Sequence, residues 1–496
     1  VAAAVRFFHL GAQSLWIDEI LTWYSANIGA PLGAKDLLEN VHGPLFSLIE
    51  HAWCGWAGDS EWALRLPAAL FGIATVPAAA WLGTRWLGRR EGLWAAWLFA
   101  LAPFHVWYSQ EARNYSLLML CTCVSGALLL EARERAGRAR WIAYLAAAAA
   151  GLLSNLSFAF VLPLHAWWAW RGTGRVRAAP RADRALRAAL GSLVLVAVLA
   201  PWAPQVGRIW DWHRLHPGRA AESGETPLRG ATTFHAAAVP FALHAFAVGY
   251  TLGPSLRELR SPEITRTIVR HIPGIAIVAL VFGALGVWGA IALARRRRLG
   301  EALLWVAPAL LVVSWFALAN FKVFHPRYLA VAFPAFVFTL AAAFAQLDAR
   351  APRVRTGFAI AVLALWARSL QHLAFDPHYA KEDVRGAAAR VRAEARPDEQ
   401  VLAVNTVDAL VYYDRGSLPT VPFWLGFAAD SAKLSRKLDA ALGAAPGTWV
   451  VLSRPEDLDP RGRFVREMAR RHPDAPSRVF EGVRVWHVRR APGAAP

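Results

Sequence analysis

The chain has 496 residues, 56% of them hydrophobic, and a formal net charge of +19. Together with a positive mean hydropathy, this is too apolar for one soluble domain and describes a polytopic membrane protein with a soluble part attached. The charge does not point to nucleic acid, because the arginines cluster in short loops between apolar stretches, as in a chain that sets its orientation in a bilayer. Cysteine is scarce: Cys54, Cys121 and Cys123. Cys121 and Cys123 lie two apart on an apolar stretch and do not face one another in a helix. Neither a disulfide framework nor a zinc spacing is present.

Apolar helical stretches are expected at 1–12, 63–83, 92–108, 115–130, 141–153, 156–170, 188–204, 272–294, 301–319, 328–345 and 356–372. The first is well short of the ~20 residues a span needs, so it is read as a truncated helix. No basic n-region or cleavage site makes it a signal peptide. The long loop 13–62 contains the turn His42-Gly43-Pro44-Leu45 and an apolar-faced helix at 45–57. That helix is too short and polar to span and should lie along the interface.

Five loops are basic: Arg85/Arg89/Arg90, Arg133/Arg135/Arg138/Arg140, Arg171/Arg175/Arg177/Arg181/Arg184/Arg187, Arg295 to Arg298, and Arg350/Arg353/Arg355. The positive-inside rule makes them cytoplasmic. They share a side only if 141–170 is a helical hairpin turning at Ser154-Asn155-Leu156-Ser157. They also require 235–252, inside the outer loop 205–271, to be interfacial or re-entrant instead of a span. The loops carrying Asp18-Glu19, Glu111-Arg113 and His325-Arg327 then all open outside, with everything after 372.

Beyond 372 the charge rises. Strand-like runs at Gln400–Val404, Thr448–Leu452, Arg478–Phe480 and Val483–Val488 alternate with amphipathic stretches at 381–396, 430–442 and 458–472. This is the pattern of a small α/β domain, without a Gly-rich phosphate loop or a nucleophile elbow. A scaffold or lid over the outer face is expected of it. The fold class is therefore an all-α polytopic membrane domain (1–372, about eleven spans plus interfacial helices) with a small C-terminal α/β extracytoplasmic domain (373–496). The absence of an evident internal repeat counts against an inverted-repeat transporter.

Three polar clusters at span ends carry the chemistry. A carboxylate at bilayer depth costs ~3 kcal/mol or more, so ionisable groups beside spans are candidates for function. Asp18 suits a general base that takes a proton from an acceptor hydroxyl, or else a helix cap or span-end ion pair. Glu111 suits a partner for Arg113, a metal ligand beside Asp18, or a solvated turn. Arg327 offers a permanently charged fork for phosphate, with Lys322 and His325 adding to the anion site, or else snorkels to headgroups. Tyr328 is a belt residue or a ligand. One base, one cationic pocket and one cleft facing lipid suggest group transfer from a lipid phosphate. A phosphate leaving group needs cationic stabilisation more than protonation, and a single base suits direct displacement with inversion, unlike a two-carboxylate glycosidase. A membrane transporter or flippase would instead carry charge deep within its spans, and almost none is seen there. A ligase or polymerase acting on a pyrophosphate-linked donor is the other alternative. A lateral opening beside Arg327 would favour a lipid-borne donor.

In order and spacing, Trp16-x-Asp18-Glu19, His42-Gly43-Pro44-Leu45, Arg65-Leu66-Pro67, Ser109-Gln110-Glu111-Ala112-Arg113-Asn114-Tyr115 and His325-Pro326-Arg327-Tyr328 resemble the bacterial family 39 glycosyltransferases. These belong to the GT-C class, alongside protein O-mannosyltransferases and the aminoarabinose transferase of lipid A. The resemblance covers about residues 1–372. It implies a multi-span bundle with amphipathic helices in the first outer loop, in the cytoplasmic membrane of a bacterium. It further implies sugar transfer from a polyprenyl-phosphate donor to a lipid, glycan or protein acceptor outside the cytoplasm. By the same resemblance Asp18 is the catalytic base and Glu19 its neighbour on the acceptor side. Glu111, Arg113 and Tyr115 line the cleft with His42, and Lys322, His325, Arg327 and Tyr328 hold the donor phosphate. Metal use varies among relatives, which leaves a divalent metal at Glu111 and His42 open. Gly43 stands where many members have proline, which should loosen that turn.

Overall fold

A computed structural model describes residues 1–26, 33, 43–134, 137–171, 191–204, 236–260, 264–319, 324–404, 406–423, 431–459 and 462–489. His42 and Lys322 of the expected site lie outside these residues.

In chain order the membrane part begins with α1 (Ala2–Phe7), α2 (Ile17–Ser25), α3 (Pro44–Ala57) and α4 (Glu61–Trp86). Next come α5 (Arg89–Leu101), α6 (Pro103–Ser109), α7 (Tyr115–Glu134), α8 (Arg138–Ser154) and α9 (Leu162–Trp170). It continues with α10 (Gly191–Trp202), α11 (Ala238–Val248), α12 (Ile264–Arg295), α13 (Leu299–Leu318), α14 (Phe333–Arg350) and α15 (Pro352–Phe375). Among the described residues α4, α7, α12, α13, Pro326–Arg350 and α15 are each long and apolar enough to cross a membrane.

The expected stretch 92–108 is broken where α5 ends and Pro103 starts α6. Pro103 has no N–H, so the Phe99 carbonyl loses its donor one turn on. The buried Arg6 guanidinium replaces it, donating to Phe99 O and Ala100 O at 2.9 Å each. The hairpin in 141–170 is present: α8 stops at Ser154, and the Asn155 side chain accepts from Ser157 N–H at 2.9 Å to start a 3₁₀ turn, Leu156–Val161. At ~1.5 Å per residue α11 reaches only about half a bilayer. It packs on α6, α12 and the 3₁₀ turn Pro326–Ala332.

The two ends of the bundle differ. At one end of α4, Arg65 binds Glu19. At the other, Trp86 Nε1 donates to Glu301 at 2.7 Å. Helical rise puts these ends roughly 30 Å apart, the thickness of a hydrocarbon core. At the far end Glu301, at the start of α13, also accepts from Trp168 Nε1 at 2.9 Å and Arg298 Nη1 at 2.8 Å. The Trp86, Trp168 and Trp305 rings pack edge-on and tilted around it. Arg85 with Glu131, and Arg296 with Glu91, lie at the same end. Arg85, Arg296 and Arg298 of the described basic loops thus share one end, and the candidate site lies at the other.

The C-terminal part holds α16 (Val384–Glu394), β1 (Gln400–Val404), α17 (Val407–Asp414), β2 (Thr420–Phe423), α18 (Ser431–Leu442) and β3 (Gly447–Ser453). It ends with α19 (Pro455–Leu458), α20 (Arg463–Arg471), β4 (Ser477–Phe480) and β5 (Val483–Arg489). The sheet runs β2-β1-β3-β5-β4, parallel across β2, β1 and β3 and antiparallel beyond. Three of its elements were not expected, the single-turn α19 among them. β2 contains Pro422, which argues against a strand except at an edge, and an edge is where β2 lies. α17 reads Val-Asp-Ala-Leu-Val-Tyr-Tyr-Asp, with little helical polarity pattern to betray it.

Strand alternation gives the sheet two different faces. Leu402, Val404, Val450, Leu452, Trp486 and Val488 pack on α18 and α20. Val401, Ala403, Trp449, Val451, Val483 and Val485 pack on α16 and α17, in one cluster with Leu15, Ile20, Cys54, Leu64 and Ala112 of the membrane part. The C-terminal domain therefore shares a core with the loop that bears Asp18.

Candidate active site

The site is built on α2. Its start is fixed by Glu19, whose carboxylate reaches back to the Trp16 N–H at 3.3 Å. Helical phase then separates two adjacent carboxylates. Glu19 turns inward and is fully buried. Arg65 holds it with Nε to Oε1 at 2.8 Å and Nη2 to Oε2 at 2.9 Å. Ala112 N–H donates to Oε1 at 2.9 Å, and Lys381 Nζ lies 3.1 Å from Oε2. Burial alone would raise this carboxyl, but the charges of Arg65 and Lys381 and these hydrogen bonds outweigh it and hold it down at about 2. Arg65 spends its remaining N–H groups on the carbonyls of Leu10, Gln13 and Ser14, each at 2.9 Å. Glu19, expected to shape the acceptor side as the neighbour of Asp18, is a fully buried internal anchor that ties α2 to α4.

Asp18 turns the other way, stays partly exposed, and forms an ion pair with Arg327. Arg327 Nη2 also donates to Tyr328 Oη at 3.1 Å, and the guanidinium lies 5.7 Å from the Trp16 ring and 5.1 Å from the Tyr328 ring. His325 caps the 3₁₀ turn that carries Arg327, its Nδ1 accepting the Arg327 N–H at 3.2 Å. The His325 ring lies against Tyr250, 5.7 Å between centroids. Asp18 and Arg327, 309 positions apart in the chain, thus meet at one spot.

The loop between α6 and α7 closes the site. Arg113 does not pair with Glu111. Its Nη1 donates to Asp18 O and Thr22 Oγ1, both at 3.0 Å, and clamps α2 from the side. Glu111 instead faces Lys381, with Oε1 3.5 Å from Nζ. Burial raises the Glu111 carboxyl, Lys381 opposes this, and Glu19 and Asp18 add repulsion, leaving it at about 6. Tyr115 is buried against Tyr108, with centroids 4.8 Å apart. Asn114 Nδ2 donates to Ser154 O, so the loop is also fastened to the hairpin turn. Among the described residues no group of three or more His, Cys, Asp or Glu is placed to hold a metal ion. Glu111, one possible metal ligand in the sequence, has an ammonium as its cationic neighbour.

Arg65, Lys381, Thr22 and Tyr250 were not among the expected site residues. Arg65 stood in a quoted motif, and Lys381 is a rare lysine in an arginine-rich chain, just beyond the last span. Thr22 stood only as one polar residue among many in the first outer loop, and Tyr250 gave no signal. A cavity of about 420 Å³ lies beside Arg65 and Lys381, walled by α1, α6 and the end of α15 and largely apolar. It opens there and does not include Arg327.

A helical membrane bundle sets a carboxylate against an arginine at one end, beside a small docked α/β domain. Solved structures share this fold along nearly the whole chain. ArnT from Cupriavidus metallidurans in the apo state is 14% identical, with a TM-score of 0.58 over 98% of this chain and 96% of that one. The same protein bound to undecaprenyl phosphate is 16% identical, with a TM-score of 0.54 over 100% and 98%. The archaeal oligosaccharyltransferase AglB from Archaeoglobus fulgidus, in complex with an inhibitory peptide and a dolichol-phosphate, is 12% identical, with a TM-score of 0.50 over 90% and 68%. Residues 41–202 match the family described as dolichyl-phosphate-mannose-protein mannosyltransferase. Comparison with curated proteins gives no match.

Proposed function

We propose that the protein transfers a sugar from a polyprenyl-phosphate donor to an acceptor on the outer face of a bacterial cytoplasmic membrane. The observation that carries this reading is the contact of Asp18 with Arg327 at the head of α2. Asp18 takes the proton of the acceptor hydroxyl as its oxygen attacks the anomeric carbon. The bond from that carbon to the phosphate oxygen breaks, and its electron pair leaves with the phosphate. Arg327 stabilises that charge through a fork suited to phosphate. Attack opposite the leaving group inverts the anomeric centre. A phosphate at Arg327 competes with Asp18 for the same guanidinium, so donor arrival releases the base where it is needed. Arg65, Arg113, Arg327 and Lys381 outnumber Asp18, Glu19 and Glu111 around the site, which favours an anionic ligand. The structurally similar ArnT and AglB, solved with undecaprenyl phosphate and dolichol-phosphate respectively, support a lipid phosphate here. The end that gathers Arg85, Arg296 and Arg298 is taken as cytoplasmic. The buried charges of the site lie at the opposite end and not mid-span, which separates this reading from a transporter.

The test is transfer from radiolabelled polyprenyl-phosphate sugars in membranes carrying the protein or its Asp18→Asn variant. Label on an acceptor with the parent alone supports the reaction. Equal label in both removes Asp18 as the base, and no label with either across the donors tried overturns the donor class.

A further inference from the structure

We propose that Lys381 is a positioning residue through which docking of the C-terminal domain orders the helix that carries Asp18. The inference rests on the reaction proposed above.

Lys381 follows the last span and precedes α16. Its side chain is 10% exposed, and Nζ stands between two buried carboxylates, 3.1 Å from Glu19 and 3.5 Å from Glu111. The Trp16 and Trp107 rings lie 6.0 Å and 5.9 Å from it. Among the described residues, Lys381 is the only ion-pair partner of Glu111. Glu19 and Glu111 face each other with like charge, and the lysine turns that repulsion into a bridge. Both carboxylates hold what flanks Asp18. Glu19 fixes the first turn of α2, and Glu111 lies on the loop that supplies Ala112 N–H and the Arg113 clamp.

The domain sets where Lys381 can be. Its backbone N–H donates to Gln13 Oε1 at 3.2 Å. Just after it, Ser14 Oγ donates to Asp383 at 3.2 Å, and Arg385 pairs with Glu61 at 3.0 Å. From α17, Tyr413 Oη accepts the Leu15 N–H at 2.6 Å, and Tyr412 Oη donates to Asp59 O at 2.6 Å. These contacts bracket the segment leading into α2, and the shared apolar cluster lies beneath them. One cation from the docked domain thus completes the internal charge lattice of the membrane part. An aliphatic stem at the same place would preserve the packing and leave the two carboxylates unbridged.

The experiment compares the parent with Lys381→Met and Lys381→Arg. Transfer kinetics are measured with hydrogen exchange over Ile17–Ser25 and over β3. Lys381→Met is expected to lower kcat at least tenfold with donor KM within twofold. Exchange over Ile17–Ser25 should rise at least tenfold while β3 stays as protected as in the parent. Lys381→Arg should recover most of both. Parental kcat and exchange in Lys381→Met would overturn the proposal. So would loss of β3 protection in both variants, which would show a purely structural role. Should the parent transfer nothing, the reaction reading fails alone. Exchange then decides the positioning role: faster over Ile17–Ser25 in Lys381→Met upholds it, and unchanged exchange overturns it.

Discussion

Replacing Glu19 by Gln keeps the shape of the side chain and removes the charge that Arg65 and Lys381 enclose. The size of the effect follows from the carboxyl itself. It is held at about 2 against an ordinary 4.5. At ~1.4 kcal/mol per unit, the folded state gains about 3 kcal/mol from ionised Glu19. Removing one partner of a buried ion pair costs about 3–5 kcal/mol by an independent route. A loss of about 3 kcal/mol opens the first turn of α2 on the order of 100-fold more often. The assay is hydrogen exchange over Ile17–Ser25, read for parent and Glu19→Gln at neutral pH and again in acid. Because the folded-state value is depressed, the stabilisation is complete above about 4.5 and fades as pH falls towards 2. The two proteins should differ about 100-fold at pH 7 and converge in acid. Exchange within threefold at pH 7, or a gap that persists undiminished in acid, would refute the anchoring role of Glu19.

Asp18→Asn should abolish transfer while leaving exchange over α4 and β3 at parental levels, since it removes the base and keeps the shape. Arg327→Ala should weaken polyprenyl-phosphate binding by ~2 kcal/mol, about 30-fold, as a charge-assisted phosphate contact is lost, and titration with the lipid phosphate checks it. The rate of transfer should fall in acid with an apparent pKa near the Glu111 value of about 6, because protonation removes the charge that faces Lys381. Glu111→Gln should erase that limb from the pH–rate profile. Arg6→Met should strand the carbonyl of Ala100, costing about 1–3 kcal/mol, while Phe99 O keeps His105 Nδ1 at 3.1 Å. Denaturant titration of the helical signal would show that loss, and an unchanged midpoint would argue that Arg6 does not cap the break.

The bundle was legible because its code is coarse. Apolar length and arginine placement mark the spans, and parity alone recovered the hairpin at Ser154 and the short helix after 235. The break at Pro103 could have been read from the proline, but its partner could not. Arg6 looks like any charge at a helix end until the fold brings it against Phe99. Asp18 and Arg327 were both visible as residues displaced from their expected polarity environment. That Glu19 turns inward while Asp18 faces the cleft was not visible, because it depends on the phase of α2 against α4. Arg113 was wrongly offered to Glu111 for the same reason: sequence proximity within a tight loop does not predict which way a long side chain reaches. Lys381 was missed because its role exists only once the C-terminal domain is docked. His42 and Lys322 lie outside the described residues.

The knot at Glu301 bears on how this bundle can deform. Two indole N–H groups and Arg298 converge on one carboxylate and lock together the far ends of α4, α9 and α13. A rod clamped at one tip moves most at the other. Any widening between these helices is therefore small near Trp86 and grows over some 30 Å towards Arg65. A bulky headgroup entering beside α2 would spread the helices like the jaws of tongs, with the tryptophan cluster as the hinge and the seal against leakage at the narrow end.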